Sequence, residues 1–137
     1  MASFGRRSLD RLATAHPDLQ KVMKEAIQNF DFTVLYGYRT PEEQRDLYKI
    51  GRHWDGDTWE VVGKTVTNLD GTIKKSKHNY SPSLAVDIAP YPIDWGDIDR
   101  FKTMVQIVKN TAAKLGISIT AGADWKMRDY PHFQIEL

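Results

Sequence analysis

Ala85-Val86-Asp87-Ile88-Ala89-Pro90 is a short apolar run broken by one carboxylate. A run of that length and composition, stopped by proline, reads as a buried strand. A carboxylate inside such a strand is costly unless a cation, a hydrogen bond or a metal compensates it. Working outward, His78 lies upstream across a turn containing Ser81, Pro82 and Ser83. Downstream, Asp129-Tyr130-Pro131-His132 leads into a second strand, predicted over 132–135.

The remaining elements are of mixed type. Phe32, Val34 and Tyr36 alternate with Thr33 and Leu35, a strand ended by Gly37. Thr40-Pro41-Glu42-Glu43 is a capping box that opens a helix through Gln44, Leu47 and Tyr48 to Gly51. Leu19, Val22, Met23, Ala26, Ile27 and Phe30 make one apolar stripe, predicting a helix over 17–30 that starts at Pro17, just after His16. Ser8 is expected to cap a short turn carrying Leu9 and Leu12. A longer helix is predicted over 97–115, capped by Asp94 or Asp97 and ended by Gly116, with a strand over 117–120. Between 52 and 75 the pattern suggests a hairpin within 58–67 around Gly63-Lys64, and a turn at Asp70-Gly71. His53 reads as a loop residue; Trp54 and Trp59 either line a groove or pack on the domain. With no repeating βαβ order, the expected class is α+β: a small antiparallel sheet flanked by helices, with a metal site at the sheet face.

Composition narrows the function. At 137 residues the chain is expected to form a single domain, 1–137, able to bury roughly two-thirds of its unfolded surface without a metal or disulfide. It has no cysteine, which excludes disulfide scaffolds, iron–sulfur clusters and thiol nucleophiles. Lys and Arg total 19 and Asp and Glu 18, a balance that argues against a dedicated nucleic-acid binder. The opening stretch has no apolar core after its basic residues, so it is not read as a secretory signal, and no stretch is apolar enough for a membrane span.

With no cysteine, any metal must be held by His, Asp or Glu. Two His and one Asp with a nearby spare carboxylate match a catalytic zinc site, which needs three protein ligands and one open position for water. The spare carboxylate here is Asp129, which would take the proton of that water, while Pro131 stiffens the turn between Asp129 and His132. Each residue also has a plainer reading: Asp87 in a structural ion pair, His78 as a hydrogen-bonding surface residue, His132 as a satisfied strand residue.

Ser76-Lys77-His78, Ala85-Val86-Asp87 and Asp129-Tyr130-Pro131-His132, in that order, resemble the zinc D-alanyl-D-alanine metallopeptidases. That family includes D-Ala-D-Ala carboxypeptidases and dipeptidases and the phage L-alanyl-D-glutamate endolysins. Phe32-Thr33-Val34, Gly37-Tyr38-Arg39-Thr40 and Gln44 resemble its Arg-bearing strand–turn–helix, and Gly122-Ala123-Asp124-Trp125 is similar to the segment before the last His in the endolysin branch. The likeness also takes in Ser8, Leu12, Pro17 and Leu19, and so spans nearly the whole chain without a separate wall-binding domain. The resemblance implies that His78, Asp87 and His132 hold Zn²⁺ and that Asp129 is general base and later proton donor. It implies that Arg39 polarises the scissile carbonyl and that Ser76 helps seat the substrate. Two departures stand out. The step from His78 to Asp87 is longer than the family's usual one, so 79–84 is expected to loop out. Asp129 stands where many carboxypeptidase relatives have Glu, as in the endolysin branch.

What the resemblance implies is a monomeric zinc peptidase acting on peptidoglycan stem peptides, at the L-alanyl-D-glutamate bond. It would be made in the host cytoplasm and reach the wall through a holin-type lesion. A D-alanyl-D-alanine carboxypeptidase or dipeptidase keeps the chemistry with a different substrate, and would need a cation such as Lys77, Lys126 or Arg128 for the terminal carboxylate. A non-catalytic wall-binding or phage structural module would bind wall without cutting it. A lysozyme-like glycosidase would need a paired carboxylate arrangement that no part of the sequence singles out.

Overall fold

The computed structural model describes residues 2–136. Its centre is a four-stranded antiparallel sheet of β1 (Phe32–Tyr36), β4 (Ala85–Pro90), β5 (Thr120–Ala121) and β6 (His132–Gln134), in the order β1-β4-β6-β5. The α+β expectation holds. Along β4, Val86 and Ile88 point to one face and Asp87 to the other, as the two-residue period of a strand requires. The apolar face packs on α2 (Pro17–Ala26) and α4 (Ile98–Leu115). Leu19, Val22 and Met23 meet Phe101, Met104 and Val108 there, with Val34, Val86, Ile88 and Phe133 from the sheet, all of them buried. Asp87 is left on the opposite face.

α1 (Arg6–Leu12) lies against β1 at the sheet edge. Its N-cap is Gly5, and Ser8 sits inside the helix rather than capping it. Ser8 Oγ instead accepts from Val34 N (3.0 Å), while Arg11 donates to Val34 O (3.1 Å). Both free backbone groups of an edge residue are thus satisfied, which blocks further strand pairing. α3 (Pro41–Lys49) opens with the predicted capping box, Thr40 and Glu43 bonding each other's backbone.

Several boundaries move. α2 ends at Ala26, and 27–29 tightens into a turn, with Asn29 N bonding Ala26 O. The predicted strand over 117–120 reduces to β5, because Ile117 N bonds Ala112 O and so closes the end of α4 instead of joining a ladder. The hairpin lies earlier than expected: β2 (Arg52–Trp54) pairs β3 (Trp59–Val61), which puts His53 in a strand. Its turn is made by Asp55, whose Oδ1 accepts from both Asp57 N and Thr58 N (2.8 Å each), with Gly56 supplying a positive φ of 98°. Gly63 N bonds back to Gly51 O and forms no hairpin turn. Trp54 and Trp59 pack on each other, ring centroids 5.5 Å apart, and Trp59 meets Tyr48 edge-on. The Asp70-Gly71 turn forms as read, with Asp70 accepting from Thr72 N and Lys74 N.

Candidate metal centre

The polar face of the sheet carries the site. Register pairs Asp87 with His132, so their side chains leave the same face as cross-strand neighbours. Phe133 turns into the core, and Gln134 returns to the side of His132. His78 comes from a 3₁₀ turn, Lys77–Asn79, just before β4. Two reciprocal bonds build that turn: Ser76 Oγ accepts from His78 N (3.2 Å), and Asn79 Oδ1 accepts from Ser76 N (2.9 Å). Asn79 also donates to Arg39 O (2.8 Å), and Arg39 N donates to His78 O (2.8 Å). The loop after β1 and the loop before β4 are therefore stitched together, despite the long 79–84 segment.

Among the described residues, His78, Asp87 and His132 each bring one donor atom to a common point, all within 4.8 Å of one another. His78 Nε2 lies 3.2 Å and His132 Nδ1 3.1 Å from Asp87 Oδ1. The far nitrogens are held from behind: His78 Nδ1 donates to Gly37 O (2.7 Å) and His132 Nε2 to Gln134 Oε1 (2.7 Å). Each neutral imidazole has one N–H, and each spends it outward. The inward nitrogens are then lone pairs aimed at a carboxylate oxygen, an arrangement that needs a positive charge at its centre. Ligands about 2.0–2.1 Å from a tetrahedral zinc stand about 3.3 Å apart, close to the two His–Asp distances here. The donor set fits such an ion.

Without an ion, protons fill that role. Burial pushes the Asp87 carboxyl up, but hydrogen bonds and attraction from His132 and His78 outweigh it and hold the group well below the ordinary Asp value. Burial pushes the His132 imidazole down, but its bond to Asp87 and that residue's charge raise it above the ordinary His value.

The Arg39 side chain is turned inward and only 12% exposed. Its Nη2 lies 3.7 Å from Asp87 Oδ2, and Nη1 donates to Gln44 Oε1 (2.8 Å). Gln44 is buried and donates in turn to Leu69 O (2.9 Å), so its amide orientation is fixed. Asp129 stands at the rim. Its carboxyl is raised above the ordinary Asp value by desolvation and by the Asp87 charge, against the pull of His132, His78 and Arg39. The backbone around it is tightly placed: Asp129 N donates to Gly122 O (2.9 Å), His132 N to Asp129 O (3.2 Å), and Ile88 N to Pro131 O (2.9 Å). A Cβ on Gly122 would come 2.4 Å from Asp129 O and 3.0 Å from His132 Cβ, so only glycine allows this approach.

These groups line one cleft of about 580 Å³, walled by Leu47, Val66, Leu69 and Trp125. The Trp125 ring lies 5.0 Å from that of His132. All six predicted site residues, Arg39, Ser76, His78, Asp87, Asp129 and His132, line it. Lys77 lines it too, but Lys126 and Arg128 do not. Sequence reasoning did not single out Asn79 or Gln134. Both carried a signal: Asn79 stands three after Ser76, as a reciprocal cap requires, and Gln134 two after His132 on a strand.

The family profile described as phage L-alanyl-D-glutamate peptidase matches residues 1–136. The chain is 31% identical over 138 residues to the L-alanyl-D-glutamate peptidase of Escherichia phage T5, covering 97% of this chain and 88% of that protein. It is also similar to the crystal structure of the Serratia marcescens L-Ala D-Glu endopeptidase ChiX. There the TM-score is 0.73 and the identity 27%, over 97% of this chain and 89% of that one.

Proposed function

This chain belongs to the phage L-alanyl-D-glutamate peptidase family, and from that premise we propose that it is a zinc-dependent endolysin. It hydrolyses the L-alanyl-D-glutamate bond of peptidoglycan stem peptides and so lyses the cell. The two imidazoles, each tied from behind with its inward nitrogen on one oxygen of Asp87, carry the metal part of this reading.

His78, Asp87 and His132 would hold the zinc, which would supply a Lewis acid and lower the pKa of a water bound to it. Asp129 takes the proton of the attacking water and returns it to the leaving amine nitrogen. Its place on the cleft lining, beside His132 and Arg39, suits both duties. Arg39, braced by Gln44, keeps a fixed positive charge beside the centre, where amide attack develops negative charge on oxygen. Ser76 uses its oxygen lone pair to cap His78 and keeps its O–H to donate to the substrate backbone. No helix among the described residues is long and apolar enough to cross a membrane. The chain acts as a monomer and reaches the wall from the host cytoplasm through a holin-type lesion.

The test is mass spectrometry of purified peptidoglycan digested with the protein, with and without chelator and with zinc restored. New N-terminal D-glutamate and C-terminal L-alanine should appear, vanish with chelator and return with zinc. Release of terminal D-alanine instead would move the assignment to a carboxypeptidase. Cleavage that persists unchanged in chelator would remove the metal from the mechanism.

A further inference from the structure

We infer that Lys75 is the specificity-determining residue that reads the free carboxylate of the D-glutamyl residue on the leaving side of the cut bond. The inference rests on the peptidase reading above and adds to it a basis for choosing the substrate.

Three cationic side chains line the cleft, Arg39, Lys75 and Lys77. Two are already engaged: Arg39 with Asp87 and Gln44, and Lys77 with Glu136 Oε2 at 3.3 Å. Among the described residues, Lys75 is the one of the three that makes no ion pair. Its Nζ stands 5.6 Å from the Tyr80 ring centroid, and Lys77 Nζ lies 5.9 Å from the same ring. The ring therefore gives the Lys75 ammonium a resting place without neutralising it. Against the three cations, the lining carboxylates are Asp87 and Asp129, and Asp87 is consumed by the two imidazoles. A divalent ion at the centre would make the cleft strongly positive.

A positive cleft with one unspent ammonium calls for an anionic substrate. A glutamyl residue has one amine and two carboxyl groups. The amine lies in the scissile bond, and the chain can continue through only one carboxyl. The other stays a carboxylate beside the leaving nitrogen unless it is amidated. Lys75 lines the same cleft as His78, Asp87, Asp129 and His132, within which its long side chain can reach for the substrate. A contact of this kind persists from ground state to transition state, so its loss should raise KM more than it lowers kcat.

The test uses two matched peptides containing L-alanyl-D-glutamate, one with that carboxylate free and one with it amidated, on the zinc-loaded protein. The wild type should favour the acid by about three- to tenfold in kcat/KM, the range between an exposed ion pair and a charge-assisted hydrogen bond. The preference should shrink with added salt. Lys75→Gln should bring the ratio toward one through a higher KM for the acid, and Lys75→Glu should invert it. Lys77→Gln should leave the ratio within about twofold, its ammonium being already paired. A wild type that cuts both peptides equally, or a Lys75→Gln enzyme that keeps the wild-type ratio, would overturn the role of Lys75 while leaving the peptidase reading intact. A zinc-loaded protein that cuts neither peptide would overturn both.

Discussion

The floor of the cleft and the hairpin beside it are built on opposite principles. The floor is sheet: β4 and β6 fix Asp87 opposite His132 by register, and the two imidazoles are held from behind, His78 by Gly37 O and His132 by Gln134 Oε1. The hairpin of β2 and β3 stands on a two-strand ladder, one Asp-bonded turn and a pair of indoles, Trp54 exposed and Trp59 half-buried. A ladder inside a packed sheet positions atoms with a precision that catalysis can use, whereas an isolated two-stranded hairpin is marginal in water. Substitutions in the floor should therefore act on chemistry, and substitutions in the hairpin on local order.

The largest effects separate two carboxylates of the floor. Asp129→Ala should lower turnover about 10²–10⁴-fold, the range for a lost general acid–base, with the zinc content unchanged by atomic absorption. Asp87→Ala should abolish turnover and also lose the metal, by more than the roughly 10–100-fold that removal of an outer partner costs. If Asp129→Ala also emptied the site, Asp129 would be a ligand and the division of labour proposed here would fail.

The floor was legible in part because β4 obeys sequence periodicity. Asp87 stood out as the one charge in an apolar run, whereas its place opposite His132 is set by the register between two strands far apart in sequence. The capping box at Thr40 and the stripes of α2 and α4 are local patterns, and all three formed. Asn79 and Gln44 were harder to place, because their amides act across the fold: Asn79 on the backbone after β1, Gln44 on Leu69 O. Between 52 and 75 the reading slipped. Asp55 makes its turn through a side chain, and Gly63, which resembles a hairpin turn in sequence, is spent on Gly51.

Next in size is Gln134→Leu. Gln134 Oε1 accepts from His132 Nε2 while its amide nitrogen bonds Glu136 Oε1, so the amide cannot flip without losing both. Leucine fills similar space but leaves the imidazole free to rotate or change tautomer. Zinc affinity, measured by competition with a chromophoric chelator, should fall about 10–100-fold. An unchanged affinity would mean that register alone orients His132.

A smaller effect concerns the metal-free protein and pH. The His132 imidazole is held above its ordinary value of 6.5. Its contribution to stability is therefore complete below that value and fades as pH rises through the higher folded one. Asp87 is held below its ordinary value of 3.8, so its contribution is complete above 3.8 and fades only as pH falls toward the depressed value. Denaturant titrations of the metal-free protein should thus show greatest stability between these ordinary values, with a loss toward neutral pH. Zinc bound at this site would take the place of the proton on His132, so the stabilisation it gives should grow over the same rise. A metal-free protein that grew steadily more stable up to pH 8 would contradict the charged pair of His132 and Asp87.

The smallest expected effect belongs to the hairpin. Trp59→Ala removes the contacts to Trp54 and Tyr48, at 5.5 and 6.4 Å between ring centroids. Each such pair contributes about 0.5–1.5 kcal/mol. The loss should be felt where the rings are, because β2 and β3 form a sheet separate from the one that carries Asp87 and His132. Hydrogen exchange should quicken at the 52–61 amides and stay unchanged in β4 and β6. Cleavage of a short peptide should remain within about twofold, since none of these residues lines the cleft. A tenfold fall on the short peptide would show that the hairpin braces Val66, Thr67 and Leu69 against the substrate, and the contrast between floor and hairpin would then be one of degree.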